Sequence, residues 1–261
     1  MSRAKRHYLP GLIWHITHRC HKREFLLKFI KDKRTWTRWM LEAKRKHGLY
    51  ILNYTITSNH IHLLIQDNVG NPAVAKSLGL AASRVAQAYN KRKNRSGAFW
   101  EDRYHSTAIE TGVHLVQCLS YIDMNMVRAN IVDHPDEWPF CGYYELQRPW
   151  VRYRNRVVDL NALLHVLGMK DVQELKEARR AWIEAAFQSG TFERDPKWTE
   201  SVAVGSKNYV EKIRQRLGGK AKGRNICGDG ETYVLHEKSK AYSRVYGGKN
   251  TDLSPKRGPA K

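Results

Sequence analysis

Cysteines, acidic residues and long apolar runs are all scarce in this sequence of 261 residues. The four cysteines form no C-x-x-C pair, which argues against a disulfide framework and against a thiolate zinc site. No apolar run approaches the roughly 20 residues of a membrane-spanning helix. The basic N-terminus also leads into no apolar segment of the kind that a secretory signal has. We therefore expect a cytoplasmic protein with reduced thiols and no membrane partner.

The shortage of acidic residues leaves a large positive charge. The 46 Lys and Arg residues outnumber the 25 Asp and Glu residues, so the net charge is +21 and the pI is about 9.9. The excess is spread over both halves of the chain. Such a charge attracts a polyanion. Nucleic acid is favoured over an anionic membrane surface, because no strongly amphipathic basic helix stands out.

The first 148 residues show the apolar periodicity of a mixed α+β domain. Alternating runs predict strands at 11–17, 50–57, 60–66 and about 107–110. Helical spacing predicts helices at about 31–47, 71–89 and 112–129. The resulting order β, α, β, β, α, β, α predicts a ferredoxin-like, split β-α-β fold, an antiparallel sheet with helices on one face.

The pattern of predicted secondary structure changes after about residue 148. Helical patterns cover residues 159–169, 172–188 and about 203–217, so we interpret residues 149–217 as a helical accessory region. From residue 218 onward glycine and lysine are abundant. Residues 218–261 are therefore expected to form a basic and largely flexible tail.

Two histidines on one predicted strand are candidate metal ligands. Strand alternation places His60 and His62 on the same face, about 7 Å apart, with Ile61 anchoring the opposite face. That separation suits two adjacent ligands of one metal ion. The alternative is an ordinary pair of histidines on a half-buried strand.

A tyrosine and an asparagine on the predicted helix 112–129 extend this hypothesis. Tyr121 and Asn125 are one helical turn apart and can face the same point, although, for these two residues taken alone, a core-boundary tyrosine and a solvent-facing asparagine are the favoured interpretation. Two imidazoles and an amide oxygen can hold a divalent cation and leave positions open for phosphate oxygens. A tyrosine beside that cation can attack a phosphodiester as its phenolate.

Four segments in order resemble the HUH (His-hydrophobe-His) single-tyrosine transposases, and among them the REP-associated tyrosine transposases. They are Tyr8–Gly11 with His18–Arg23, Ser58–Leu64, Gly97–Tyr104, and Tyr121–Asn130. The resemblance covers about residues 5–148 and implies a ferredoxin-like catalytic domain, residues 1–148, that binds single-stranded DNA hairpins. It also implies that Tyr121 is the nucleophile, forming a 5′-phosphotyrosine link and freeing a 3′-hydroxyl. His60 and His62 would bind Mg²⁺ or Mn²⁺, with Asn125 as the third ligand.

Clusters of basic residues are candidates for DNA binding. Lys and Arg side chains bind phosphates, and neighbouring rings such as Phe99 and Trp100 can stack on bases. For Trp100, core packing is the favoured interpretation. The alternative for the cations is an ordinary solvated surface. The candidate DNA-binding residues are Lys5, Arg6, Arg19, Arg23, Lys91, Arg92, Lys93, Arg95 and Arg103.

The favoured interpretation is a metal-dependent DNA strand-transfer enzyme that acts on REP-like hairpins, as a monomer or a homodimer associated with the nucleoid. A domesticated, non-catalytic binding module would not need the intact set of Tyr121, His60, His62 and Asn125. An RNA-binding sheet would carry aromatic residues where His60 and His62 stand. A metallohydrolase would need further Asp, Glu or His ligands at fixed spacing, and none stands out.

Overall fold

The first half of the chain folds as the predicted split β-α-β unit. The protein is described by a computed structural model over residues 9–67, 73–148, 156–190 and 193–236. The elements of the unit are β1 (Ile13–Arg19), α1 (Ile30–His47), β2 (Tyr50–Ile56), β3 (His60–Gln66), α2 (Ala73–Arg92), β4 (His105–Ile109), α3 (Val113–Asp123) and the short α4 (Asn125–Arg128). The proposed start of the second helix, at residues 71–72, lies outside the described residues.

The strand order confirms the α+β class. These four strands lie in the order β2-β3-β1-β4, and each neighbouring pair is antiparallel. This is the order of a split β-α-β fold, in which the two helical crossovers place the first and third strands at the centre. Between the strands of the hairpin, Thr57 accepts the N–H of His60 through its hydroxyl and closes the turn.

The helices cover both faces of the sheet, whereas we expected them on one. Trp100 stacks on His18 of β1 and donates its indole N–H to Ala82 of α2, so α2 lies on the face to which His18 points. Helix α3 lies on the opposite face, where the Thr55 hydroxyl donates to the carbonyl of Ile122 at 3.0 Å. Strand alternation gives this second face polar side chains, and α3 supplies hydrogen-bond partners for Asn53 and Thr55.

The second half of the chain consists of helices and three further strands. They are α5 (Gly142–Gln147), α6 (Leu160–Leu167), α7 (Val172–Gln188), α8 (Lys197–Glu200), β5 (Ser201–Gly205), α9 (Lys207–Leu217), β6 (Ile226–Asp229) and β7 (Thr232–His236). Strand β5 pairs in parallel with β4, and β7 and β6 follow, which gives the sheet order β2-β3-β1-β4-β5-β7-β6. The core is therefore continuous from Leu9 to Leu235.

This extension corrects the sequence-based description of the C-terminal region. The predicted helix at 203–217 begins only at Lys207, after the Ser206 hydroxyl accepts the N–H of Tyr209. Residues 201–205 are a short apolar run, buried throughout, and periodicity cannot distinguish such a run from a helix segment. Two strands also lie within the expected tail, at 226–229 and 232–236, and residues 237–261 lie outside the described residues. None of the described helices is long and apolar enough to span a bilayer.

A buried ion pair ties α7 to α3. The Arg179 guanidinium donates to the carboxylate of Asp123, and the two side chains are only 2% and 1% exposed. Asp123 also accepts a 2.9 Å hydrogen bond from the amide of Asn53 on β2. Burial raises the pKa of Asp123, and Arg179 and Asn53 oppose that rise by favouring the ionised carboxylate.

Removing Arg179 should destabilise the fold strongly. Arg179→Met leaves a buried carboxylate without its countercharge, which costs about 3–5 kcal/mol of unfolding free energy. Urea unfolding monitored by circular dichroism measures the difference. Arg180→Met is the matched control, because Arg180 is exposed on the same helix and a surface change typically costs no more than about 0.5 kcal/mol. Equal losses in the two variants would show that the ion pair does not hold α7 against α3.

Candidate active site

The four residues predicted to act in catalysis lie together on the α3 side of the sheet. Their side chains come from two elements, β3 for the histidines and the α3–α4 segment for Tyr121 and Asn125. The ring of His62 lies 4.8 Å from that of His60 and 6.0 Å from that of Tyr121, measured between centroids. The side-chain amide of Asn125 lies 3.0 Å from Nε2 of His62. A local β pattern and a local helical pattern thus converge on one site.

The α3–α4 segment presents Tyr121 and Asn125 as successive turns of one helical path. The predicted helix 112–129 is interrupted at Met124, whose N–H still bonds to Ser120 at 2.9 Å. The backbone N–H of Arg128 then bonds to the carbonyl of Met124, so the helical path continues beyond the interruption. Tyr121 is 8% exposed, and its ring packs beside those of His15 and His62.

Each candidate histidine ligand is held through its Nδ1 atom. Nδ1 of His60 lies 2.7 Å from Oδ1 of Asn59 and 3.0 Å from the hydroxyl of Thr57, both in the hairpin turn. Nδ1 of His62 lies 2.9 Å from Nε2 of His15 on β1. His15 in turn contacts the carbonyl of Trp198 at 2.8 Å through its own Nδ1.

Sequence reasoning missed His15 and Trp198. His15 lies on β1 and shares the alternation of Thr17, so its position on the His62 face could have been predicted from the period of two. Trp198 gave no such signal, because its carbonyl acts through the backbone and lies 183 residues from His15.

Burial keeps the histidines of the site neutral. It lowers the pKa of both His15 and His60 to about 3, and the pKa of His62 lies well below its ordinary value of 6.5. The nearby Arg128 adds a repulsive charge to all three imidazolium forms. Neutral imidazole is the form that ligates metal ions.

The donor set fits a divalent cation. With both Nδ1 atoms held by hydrogen bonds, the Nε2 atoms of His60 and His62 remain as ligand atoms, and the amide of Asn125 lies beside the second. Rotation of that amide exchanges its oxygen and nitrogen, so Asn125 can present an oxygen. Within the described residues no group of three His, Cys, Asp or Glu side chains forms a metal site. The candidate set is a different type, since its third ligand is an amide.

Arg128 lies directly over the ring of Tyr121. The centre of its guanidinium is 4.1 Å from the ring centroid, and the guanidinium also donates to the backbone carbonyl of Tyr121 at 2.6 Å. Burial raises the pKa of Tyr121 above its ordinary value of 10, and the charge of Arg128 opposes that rise. The pKa of Tyr121 is therefore lower than it would be at the same burial without Arg128, so its phenolate forms more readily.

The predicted DNA-binding residues differ in their surroundings. Lys5 and Arg6 lie outside the described residues. Arg19 pairs across the sheet with His60, and Arg23, Lys91, Lys93 and Arg103 are exposed. Arg92 forms an ion pair with the buried carboxylate of Asp32, and Arg95 bonds to Asn90 and Ala98 and lies 3.8 Å from a carboxylate oxygen of Glu24. The last two arginines thus have structural partners as well as positive charge.

The two rings considered for base stacking both pack against the core. Phe99 is 2% exposed, so its assignment as a stacking ring is wrong, whereas Trp100 is partly buried and packs on His18 with ring centroids 4.0 Å apart, as the favoured interpretation expected.

Phe25 and Phe29 are more open to solvent, at 64% and 53% exposed. Phe25 lies on no regular strand or helix, and Phe29 is the N-cap of α1. Helical spacing with Trp36 and Met40 predicts an inward-facing ring at Phe29, and its exposure shows that this prediction is wrong.

Loss of the Arg128 charge should raise the pKa of Tyr121 further. We expect this in Arg128→Met, because the cation stabilises the phenolate while burial disfavours it. A ¹³C NMR titration of ring-labelled tyrosine measures the shift. Arg148→Met is the control, since Arg148 lies over the ring of Tyr144 instead. A Tyr121 titration that is identical in the two variants would mean that Arg128 does not tune the phenol.

Comparison with known proteins finds a match to one protein family over part of the chain. Residues 9–125 match the family model described as "Transposase IS200 like". A search of curated proteins finds no significant match. Among solved structures, a REP-associated tyrosine transposase bound to a REP hairpin is 19% identical, with 60% of this chain and 90% of that chain covered and a TM-score of 0.46. A candidate transposase from Deinococcus radiodurans R1 is 18% identical, with 50% and 92% covered and a TM-score of 0.33.

At these identities and TM-scores, the two structural similarities are too low to indicate a function for this chain. The family match begins at Leu9, before β1, and ends at Asn125. It therefore contains the candidate nucleophile and the three candidate metal ligands, whereas Arg128 lies beyond its end. Residues 9–125 of this chain are therefore similar to the IS200-like transposases.

Proposed function

We propose that this protein is a transposase of the REP-associated tyrosine subgroup, which cleaves and rejoins single-stranded DNA beside REP-type hairpins. Tyr121 is the nucleophile, and His60, His62 and Asn125 are the ligands of Mg²⁺ or Mn²⁺. The observation that carries the proposal is the convergence of Tyr121 and Asn125 with two neutral imidazoles whose Nε2 atoms are left for a metal. The DNA substrate places its action at the nucleoid, as a monomer or a homodimer.

The reaction exchanges one phosphate ester for another. The phenolic oxygen of Tyr121 loses its proton and attacks the scissile phosphorus, and the bond from phosphorus to the 3′-oxygen breaks. The 3′-oxygen takes up a proton and leaves as a hydroxyl, while the 5′-phosphate stays on Tyr121. When bound, the divalent cation would polarise the phosphate and offset its developing charge. Attack of a 3′-hydroxyl on the phosphotyrosine reverses these steps and rejoins the strand.

The chain's own residues prepare Tyr121 for this step. Arg128 favours the phenolate, because its guanidinium lies 4.1 Å from the ring centroid of Tyr121. The surrounding rings of His15 and Trp198 exclude water from the sides of the phenol. A water-poor site strengthens the attraction between Arg128 and the phenolate.

A basic and aromatic surface beside His60 suits unpaired bases. The segment that carries Phe25 is fixed to the turn before His60, because the N–H of Leu27 bonds to the carbonyl of Ser58 at 2.8 Å. Nζ of Lys93 lies 5.4 Å from the ring centroid of Phe29. Exposed rings next to cations bind single strands by stacking on bases and attracting phosphates. We propose that single-stranded DNA leaves the active site across this surface.

Tyr121→Phe should abolish cleavage and leave DNA binding intact. The test is a denaturing gel of the protein with end-labelled, hairpin-containing single strands, in Mn²⁺ or in EDTA. We expect a covalent protein–DNA band that requires the metal and is absent from the variant. Tyr209→Phe is the matched control, because the hydroxyl of Tyr209 is buried on α9 and makes no hydrogen bond there.

Two results of that gel would contradict the proposal. Cleavage that persists in Tyr121→Phe would exclude Tyr121 as the nucleophile. Tight, salt-sensitive binding with no covalent band across many hairpins would identify a domesticated, non-catalytic DNA- or RNA-binding module on the same fold.

Removal of the exposed rings should weaken binding of single strands but not of duplex DNA. Base stacking contributes about 1–3 kcal/mol per base, so Phe25→Ala and Phe29→Ala should each reduce single-strand affinity roughly 5- to 150-fold. The salt dependence should stay unchanged, because no cation is removed. Fluorescence anisotropy with labelled oligonucleotides measures both quantities.

Val113→Ala provides the matched control for those variants. Val113 is also apolar and 57% exposed, but it follows the end of β4 that pairs with Ile13, whereas His60 pairs with Arg19 at the opposite end of β1. A phenylalanine variant that binds single strands as tightly as Val113→Ala does would exclude a stacking role for its ring.

A further inference from the structure

A chain of hydrogen bonds links the candidate metal ligand His62 to the C-terminal part of the sheet. His62 on β3 contacts His15 on β1 at 2.9 Å, and His15 contacts the backbone carbonyl of Trp198 at 2.8 Å. The two rings are stacked with centroids 5.0 Å apart, and they are 2% and 0% exposed. Water therefore cannot replace either contact without a rearrangement of the core.

The direction of each hydrogen bond follows from the last acceptor. A carbonyl carries no proton, so Nδ1 of His15 is the donor to Trp198. A neutral imidazole has a single N–H, which makes Nε2 of His15 an acceptor. Nδ1 of His62 must then be the donor to His15, and the lone pair of His62 lies on Nε2. That atom is the one that faces Asn125.

The two candidate ligands are oriented in different ways. His60 is held by Asn59 and Thr57, which belong to its own hairpin turn. His62 depends on a residue 47 positions away, and that residue depends on a carbonyl 183 positions away. Ligating histidines generally donate their second N–H to a fixed acceptor, which sets the tautomer and the orientation of the ring. For His62 that acceptor is another imidazole.

The backbone carbonyl of Trp198 is itself anchored to the split β-α-β unit. The hydroxyl of Thr107 on β4 lies 3.1 Å from the carbonyl oxygen of Trp198 and 2.7 Å from that of Ser201. Ring Nε2 of His105 lies 2.9 Å from the same Ser201 oxygen. These contacts hold residues 198–201 at the start of β5, the strand that pairs with β4.

We propose that His15 is a positioning residue that fixes His62 as the Nδ1–H tautomer, and that the Trp198 carbonyl makes the C-terminal region part of the metal site. The part that concerns metal rests on the proposed function, whereas the tautomer is a property of the metal-free chain. In this arrangement residues 198–201 are needed for a correctly oriented ligand, although they lie outside the family domain at 9–125.

The tautomer is measured first, in the full-length protein without metal. Long-range ¹H–¹⁵N NMR of histidine-labelled protein distinguishes a protonated from an unprotonated Nε2. We expect an unprotonated Nε2 and a protonated Nδ1 at His62 in the wild type. A protonated Nε2 at His62 would overturn the proposal whether or not the protein binds metal or cleaves DNA.

Metal affinity is measured next, by calorimetric titration with Mn²⁺. His15→Leu removes the acceptor and should weaken Mn²⁺ binding roughly 10- to 100-fold, the usual effect of losing such a support. His15→Gln keeps an amide donor and an amide acceptor, so it should retain more of the affinity. His114→Leu is the control, because His114 is a buried histidine at the N-terminal end of α3, whereas Tyr121 lies near the C-terminal end.

The outcomes separate the positioning role from the proposed function. A folded His15→Leu protein with wild-type Mn²⁺ affinity would overturn the positioning role. If His15→Leu does not fold, the wild-type tautomer and the His15→Gln affinity decide the matter. A wild-type protein that shows the expected tautomer but neither binds Mn²⁺ nor cleaves DNA would contradict the proposed function and leave the tautomer assignment standing.

Discussion

The architecture depends on the need to satisfy polar groups on one buried face of the sheet. This face carries Asn53, Thr55, His15 and Thr107, and all four are inaccessible to water. A buried polar group without a partner costs roughly 1–3 kcal/mol, so each must find one in the protein. Asn53 and Thr55 find theirs on α3, and His15 and Thr107 find theirs in the backbone near Trp198. The polar face thereby binds both α3 and the C-terminal segment to the sheet.

The candidate active site is a product of the same constraint. Asp123 is bonded to Asn53 and Arg179, and it lies two residues from both Tyr121 and Asn125. The contacts that hold α3 on the sheet therefore also hold the candidate nucleophile Tyr121 and the amide of Asn125 near the histidines. Burial then keeps the imidazoles neutral, and Arg128 offsets its effect on the phenol. Stability and the chemistry of the site share one set of hydrogen bonds.

Local periodicity made the core of the site predictable. The alternation of β3 placed His60 and His62 on one face, and the helical spacing of Tyr121 and Asn125 placed them one turn apart, as the structure shows. Local patterns did not reveal that Phe99 is buried, since the burial of a loop residue depends on which distant residues pack against it. They also concealed β5, because a five-residue apolar run carries too few residues to display a period.

The sequence by itself determined the split β-α-β order, the positive charge and the four candidate catalytic side chains. Each of these follows from the pattern of neighbouring residues or from the composition. Only the tertiary structure decided that α3 covers the second face of the sheet and that the C-terminal strands extend it. It also decided that His62 is supported through His15 by a carbonyl at Trp198. A backbone carbonyl carries no residue-specific signal, and its partner lies 183 positions away, so this contact exists only once the whole sheet has formed.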